Sequence, residues 1–240
     1  MGMHITIEVV DKVATQKDID AIYDYFEYID NKFSTYKKTS EIAQINLGKI
    51  KQDGYSSDMK KILALCEKTK KETNGYFDIL HEGTLDPSGI VKGWAIWQAA
   101  KLLKKNGFKN FYVDAGGDVQ VSGKNSEGKP WTVGIRNPFN GAEIVKIIQL
   151  ENRGIATSGT SIRGQHIYIP YKPKTSILDI VSISVIGPNV YEADRFATAA
   201  FAMELNGIQF IERLPKVEGY MVDKNGIATY TSGFEKFVFS

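Results

Sequence analysis

Leu85-Asp86-Pro87-Ser88-Gly89-Ile90-Val91-Lys92-Gly93-Trp94 packs a carboxylate, a hydroxyl, two glycines and a lysine directly ahead of an apolar helix. From Gly93 to Lys105 the apolar residues Ala95, Ala99, Leu102 and Leu103 recur at helical spacing, and Gly107 supplies the stop. A loop carrying Gly89 and Lys92 then delivers its amides to a helix N-terminus, where unpaired N–H groups and the dipole favour an anion. An ordinary capped turn with a solvated lysine uses the same residues, so this stretch means chemistry only if partners exist elsewhere.

Upstream, His4 to Val10 alternates and is rich in β-branched residues, which predicts a strand. Ile22, Phe26 and Ile29 predict an amphipathic helix over 19–33, Ser40 opens a short helical turn ending near Asn46-Leu47-Gly48, and a second clear helix runs from Met59 to Thr73. Asn74-Gly75 closes it and leads into Tyr76-Phe77-Asp78. Downstream, strands are expected at 111–113 and 119–121 around the paired glycines Gly116-Gly117, then at 131–135, 144–148, 166–169 and 180–186. A helix over 192–205, a short helix and a terminal hairpin pairing 220–222 with 227–230 complete the chain. No linker, short-period repeat or low-complexity tract divides it, so residues 1–240 read as one α+β domain. A mainly helical N-terminal lobe up to about residue 80 is the one subdivision the pattern allows.

With 240 residues, 42% of them hydrophobic, the chain can bury a full core. A formal charge of +2 supplies no field of the kind nucleic-acid binders use, so nucleic acid is not an expected partner. The single cysteine, Cys66, lies within a helical pattern and reads as an inert buried thiol, which leaves no intrachain disulfide and no cysteine metal site. There is no run of eighteen apolar residues and no apolar signal-peptide core at the start, so a cytoplasmic protein without a membrane partner is expected. A chain trimmed of an export signal would read identically.

Four further segments carry polar chemistry. Asp194 and Thr198 lie four apart, stacked on one strip of the 192–205 helix, beside the core face of Ala193, Phe196, Ala197, Ala200 and Phe201. A carboxylate and a hydroxyl so placed are hard oxygen ligands suited to magnesium. The same pair also serves helix ends in general, Asp194 complementing the dipole and Thr198 bonding back to its own helix. Ala156-Thr157-Ser158-Gly159-Thr160-Ser161 offers hydroxyls and a flexible backbone for an anion, and is equally what a polar loop looks like. His166, one of three histidines, is placed to transfer a proton near neutral pH or to be a satisfied structural residue. Asp114 and Asp118 flank the double glycine, as ribose or metal ligands or as turn-stabilising Asx residues.

Taken together these segments are no longer independent. Phe33-Ser34-x-Tyr36 with Ser40-Glu41 and Asn46, Gly75-Tyr76-Phe77-Asp78, Asp86-x-Ser88-Gly89-Ile90-Val91-Lys92-Gly93, Ala115-Gly116-Gly117-Asp118, Pro130-Trp131-x-Val133-Gly134-Ile135, Ala156-Thr157-Ser158-Gly159 and Ala193-Asp194-x-x-Ala197-Thr198-Ala199 resemble, in this order, the FAD:protein FMN transferase (ApbE) family. The resemblance runs from Met1-Gly2 to the final hairpin. It implies a T-fold-related α+β fold of mixed, largely antiparallel sheets with packed helices. It also implies transfer of the FMN half of FAD to a threonine hydroxyl of an acceptor flavoprotein, with a phosphoester formed, AMP released and Mg2+ required. Alternatives that it leaves open are a magnesium-dependent FAD pyrophosphatase giving FMN and AMP, and FAD binding without turnover. Carried over position by position, the magnesium ligands fall on Asp194, Thr198 and the Gly89 carbonyl. FAD contacts fall on Met1, Tyr36, Tyr76, Phe77, Asp78, Asp86, Lys92 and Ile167, with His166 assisting proton transfer and Asp194 shared between metal and catalysis.

Two departures stand out. Only seven residues separate Asp78 from Asp86, where the family usually carries a longer segment with a tryptophan-glycine element. After His166 the family's Asp-Pro-x-Thr-Gly becomes Ile169-Pro170 and, further on, Thr175-Ser176, with Ile169 in place of the aspartate and Ser176 in place of the glycine. Both changes fall where the flavin and acceptor side of the site is expected.

Overall fold

The computed structural model describes residues 2–160, 167–172 and 175–239. Strand β1 (Ile5–Val9) is followed by helices α1 (Gln16–Phe33), α2 (Glu41–Asn46) and α3 (Ser57–Glu72). Serines open the last two: Ser40 Oγ accepts from the Ala43 amide at 3.1 Å and Ser56 Oγ from Met59 at 3.2 Å. A two-residue hairpin, β2 (Leu80–His81) and β3 (Thr84–Leu85), then leads into α4 (Ser88–Lys105). Next come β4 (Phe111–Ala115), β5 (Asp118–Ser122), β6 (Trp131–Arg136), β7 (Ile144–Leu150), β8 (Gly154–Gly159) and β9 (Ile180–Gly187). Helices α5 (Val190–Ala202) and α6 (Gly207–Glu212) precede the closing strands β10 (Glu218–Asp223) and β11 (Ala228–Tyr230).

Seven strands form one sheet in the order β1-β4-β5-β8-β9-β10-β11, and each neighbouring pair runs antiparallel. Alternation sorts side chains to the two faces. Phe111, Val113 and Ala115 on β4 join α1, α3 and α4, while Ala156, Ile183 and Val185 lie under α5. From the opposite face Val119, Val121, Ile155, Ile186 and Val222 meet the separate β6–β7 ribbon. Covered on both faces, β5 is buried at all five positions. Cys66 is buried inside the helical layer, and burial pushes its thiol up to about 12, so it is inert as read. No helix among the described residues is long and apolar enough to cross a membrane.

Several expectations change in detail. Helix α4 begins at Ser88 rather than Gly93, so Gly89 and Lys92 belong to the helix, not to a loop before it. Its first amide is already taken, Ser88 donating to Asp86 Oδ1 at 2.9 Å, which removes one donor from the expected anion site. Residues 154–159 are a central strand rather than a polar loop, and close packing explains the small side chains: a Cβ on Gly154 would sit 2.1 Å from the Val190 nitrogen. The strand expected at 166–169 is not formed by Ile167, Tyr168 or Ile169, and His166 lies outside the described residues. The double glycine is a hairpin turn as expected, with φ of 65° at Gly116 and 93° at Gly117.

The contact that shapes the molecule's centre is the crossing of α4 on α5. Gly89 faces Thr198, where a Cβ would lie 3.2 Å from Cγ2, and Gly93 faces Asp194, where a Cβ would lie 2.6 Å from the aspartate Cβ and 2.9 Å from the Val190 carbonyl. Each pair is one helical turn from the other, so the helices meet along i, i+4 ridges at which α4 contributes no side chain and α5 contributes Asp194 and Thr198. An alanine at 93 gains about 1 kcal/mol of helix propensity but must separate the two backbones, which costs about 1–3 kcal/mol. Gly93→Ala is therefore expected to lower the urea midpoint with an unchanged slope; a midpoint at or above wild type contradicts this packing.

Candidate active site

The helix crossing floors a cavity of about 340 Å³. Tyr76, Phe77, Asp78, Asp86, Gly89, Lys92, Ile167, Asp194 and Thr198, all singled out from sequence, line it. Tyr36 does not: it follows α1 at 96% exposure, away from the cavity lining. Met1 and His166 lie outside the described residues.

Asp194 is 3% exposed, and its Oδ2 accepts from the Gly93 amide at 2.8 Å. In a regular helix that amide would bond the Gly89 carbonyl, so the carboxylate competes for the donor of the very carbonyl named as a ligand. Lys92 reaches back from the same helix, with Nζ 2.6 Å from Asp118 Oδ2 and 3.7 Å from Asp194 Oδ1. Burial drives the Asp194 carboxyl well above the ordinary range; the Lys92 ammonium opposes this, Asp118 adds to it, and the Gly93 bond again opposes it. Asp118 Oδ1 also accepts from the Thr157 amide at 3.2 Å, and Thr157 Oγ1 shares a 2.7 Å hydrogen bond with Ser184 Oγ.

The other wall descends from α3. Lys70 holds Asp78 at 2.7 Å, Tyr168 donates to the Asp78 carbonyl at 2.6 Å, and His81 stacks on the Tyr168 ring at 4.0 Å. The shortened segment is thus the β2–β3 hairpin, pinned by Asn46, whose side chain donates to the Leu85 carbonyl and accepts from its amide, both at 2.9 Å. Asp86 follows immediately, its amide donating to the Ile79 carbonyl at 2.8 Å.

Sequence reasoning weighed Asp118 only beside Asp114, and the structure separates the two. Asp114 Oδ1 caps the turn by accepting from Gly117 at 2.8 Å, whereas Asp118 points at Lys92. Tyr112, Arg136 and Tyr168 also line the cavity and were not singled out. They sit on strands and connections whose local pattern carries no signal of convergence.

A family model described as the ApbE family matches residues 1–83 and 80–221. This chain belongs to the ApbE family. The two matched stretches meet in the β2–β3 hairpin, where the shorter connection was read. A FAD:protein FMN transferase of Haemophilus influenzae is 25% identical over 284 aligned positions, covering 91% of this chain and 81% of that protein. One of Chlamydia muridarum is 26% identical over 92% of this chain and 86% of its own length. One of Klebsiella pneumoniae is 30% identical, but over only 59% of this chain and 43% of the relative. The flavin transferase ApbE of Vibrio cholerae superposes with a TM-score of 0.86 at 22% identity, over 99% of this chain and 96% of that one. The ApbE protein of Thermotoga maritima gives 0.85 at 19% identity, with the same coverages. The two structural matches establish the ApbE fold, with its antiparallel sheets and packed helices.

Lys92→Met leaves Asp118 and Asp194 buried without their ammonium, a loss of about 3 kcal/mol. Thermal unfolding in chelator is expected to show it, and magnesium chloride should recover more stability in the variant than in wild type. A variant as stable as wild type in chelator contradicts the paired-carboxylate reading.

Proposed function

We propose that this chain transfers the FMN half of FAD to a threonine hydroxyl of an acceptor flavoprotein and releases AMP. The observation that supports this is convergence: within a chain of the ApbE family, residues of α3's exit, of α4's start and of α5 line one cavity.

The donor chemistry fits magnesium. Among the described residues no three His, Cys, Asp or Glu side chains are grouped to hold a metal ion by themselves, so the proposed ligand set draws on a hydroxyl and a main-chain carbonyl as well. One carboxylate of Asp194, the Thr198 hydroxyl and the Gly89 carbonyl are oxygen donors, and so small a protein set leaves positions for water and phosphate, as Mg2+ prefers. Bound there, the ion would neutralise pyrophosphate charge. Lys92 brings an ammonium to the same end of the cavity, held in place by Asp118. Tyr76, Phe77 and Asp78 form the wall against which the flavin portion rests, and Asp86 lies at the start of α4 beside them. The threonine oxygen bonds to the FMN phosphorus as the bond to the AMP oxygen breaks, and His166 is the group proposed to take the threonine proton. Positioning and charge suffice for such a displacement, without a covalent enzyme intermediate. Neither nucleic acid nor a membrane is part of the proposed reaction, and the setting proposed for it is the cytoplasm.

Given FAD and magnesium, the protein is expected to release AMP and to make a threonine-containing acceptor fluorescent on a denaturing gel. Asp194→Ala should lower AMP release by at least about a hundredfold, the loss typical of removing a principal charge-stabilising group. AMP release unaffected by chelator would overturn the metal assignment, and AMP release without acceptor labelling would identify water as the acceptor.

A further inference from the structure

We propose that Arg136 is a substrate-binding residue that contacts the pyrophosphate of the dinucleotide from the β6–β7 ribbon. This rests on FAD being the substrate. The cavity is lined by Asp78, Asp86, Asp114, Asp118 and Asp194, against two described cations, Lys92 and Arg136. So acidic a lining repels a polyphosphate unless positive charge is directed at it. Lys92 is already drawn to Asp118 and Asp194. Arg136 is exposed and lines the cavity, and its side chain has no ion pair or hydrogen bond with any described residue.

The backbone is shaped to present it. The β6–β7 ladder runs in register from Trp131 opposite Leu150 to Ile135 opposite Lys146, then slips so that Arg136 faces Ile144 and Val145 is left over. The extra residue lies on β7, so it is the partner strand that kinks, while β6 keeps its alternation and carries Arg136 on the face it shares with Thr132 and Gly134. The turn beyond it is fastened, with the Asn137 amide donating to the Glu143 carbonyl at 2.8 Å and Phe139 donating to Asn137 Oδ1 at 3.0 Å. Gly134 leaves room beside the arginine: a Cβ there would lie 2.8 Å from Ile144 Cδ1, so Ile144 lies across the glycine as an apolar shelf. A guanidinium next to an apolar shelf suits a phosphate attached to a ring system, and its forked donors match phosphate oxygens.

The test is FAD binding with magnesium, followed by flavin fluorescence, for wild type, Arg136→Gln and Arg136→Lys, each at several ionic strengths. Arg136→Gln is expected to weaken FAD binding about tenfold or more and to raise the KM for AMP release by a similar factor. Its affinity should also depend less on salt, because one charge contact has gone, while Arg136→Lys recovers part of both effects. The thermal midpoint should stay at the wild-type value. Wild-type affinity in Arg136→Gln, or weakened binding with an unchanged salt dependence, overturns the assignment alone. A wild-type protein that binds no FAD overturns the substrate reading and the assignment with it.

Discussion

The structure depends on two glycines of α4 lying against two polar residues of α5. Gly89 against Thr198 and Gly93 against Asp194 bring the helix backbones so close that a single added carbon would overlap at the second pair. Closeness has a chemical result as well as a packing one. It sinks a carboxylate into the core, where, among the described residues, the Gly93 amide and Lys92 compensate it. It also brings Gly89, Asp194 and Thr198 to the lining of one cavity from two packed helices. Sites built on such elements hold their geometry better than sites built on loops. The same crossing that closes the core is thus the one that builds the proposed metal site.

Around this centre the sheet and the connections act as walls. Strand β5 supplies Asp118 from a position buried on both faces, so the carboxylate that steadies Lys92 cannot drift. Arg195, next to Asp194 and buried, forms ion pairs with Glu192 and Glu72, which ties α5 to the end of α3 just before Tyr76-Phe77-Asp78. The wall proposed to face the flavin and the helix proposed to hold the metal are joined by that link. Where the family resemblance implied a longer connection, a two-residue hairpin is anchored by Asn46 and by the stacking of His81 on Tyr168. The cavity therefore keeps a formed wall at the shortened place.

Much of this was legible from local patterns because those patterns report burial. The 3.6-residue spacing of Ile22, Phe26 and Ile29 and the alternation in β6 follow directly from one buried face. Residues 154–159 misled for the converse reason: small side chains that read as a loop are small because α5 lies on them, and only tertiary contact decides between the two. The start of α4 was placed late because its glycines, poor helix formers, were chosen for the crossing. Asp194, Thr198 and Gly89 were reached through the ordered motifs and are brought together here. Asp118 was read as a ribose or metal ligand or a turn-stabilising residue rather than as the partner of Lys92, and Arg136, which continues the alternation of β6, shares the cavity only through tertiary packing. Tyr36, carried over with the motifs, stands in solvent away from the cavity.

A crystal structure of the protein grown with magnesium and FAD tests the central claim most directly, through the metal–oxygen distances. The account predicts one octahedral ion about 2.1 Å from the Asp194 carboxylate, the Thr198 hydroxyl and the Gly89 carbonyl, with phosphate oxygen and water completing its shell. An ion held instead by Asp86 or Asp114, with the Gly89 carbonyl kept in its helix hydrogen bond, would contradict it.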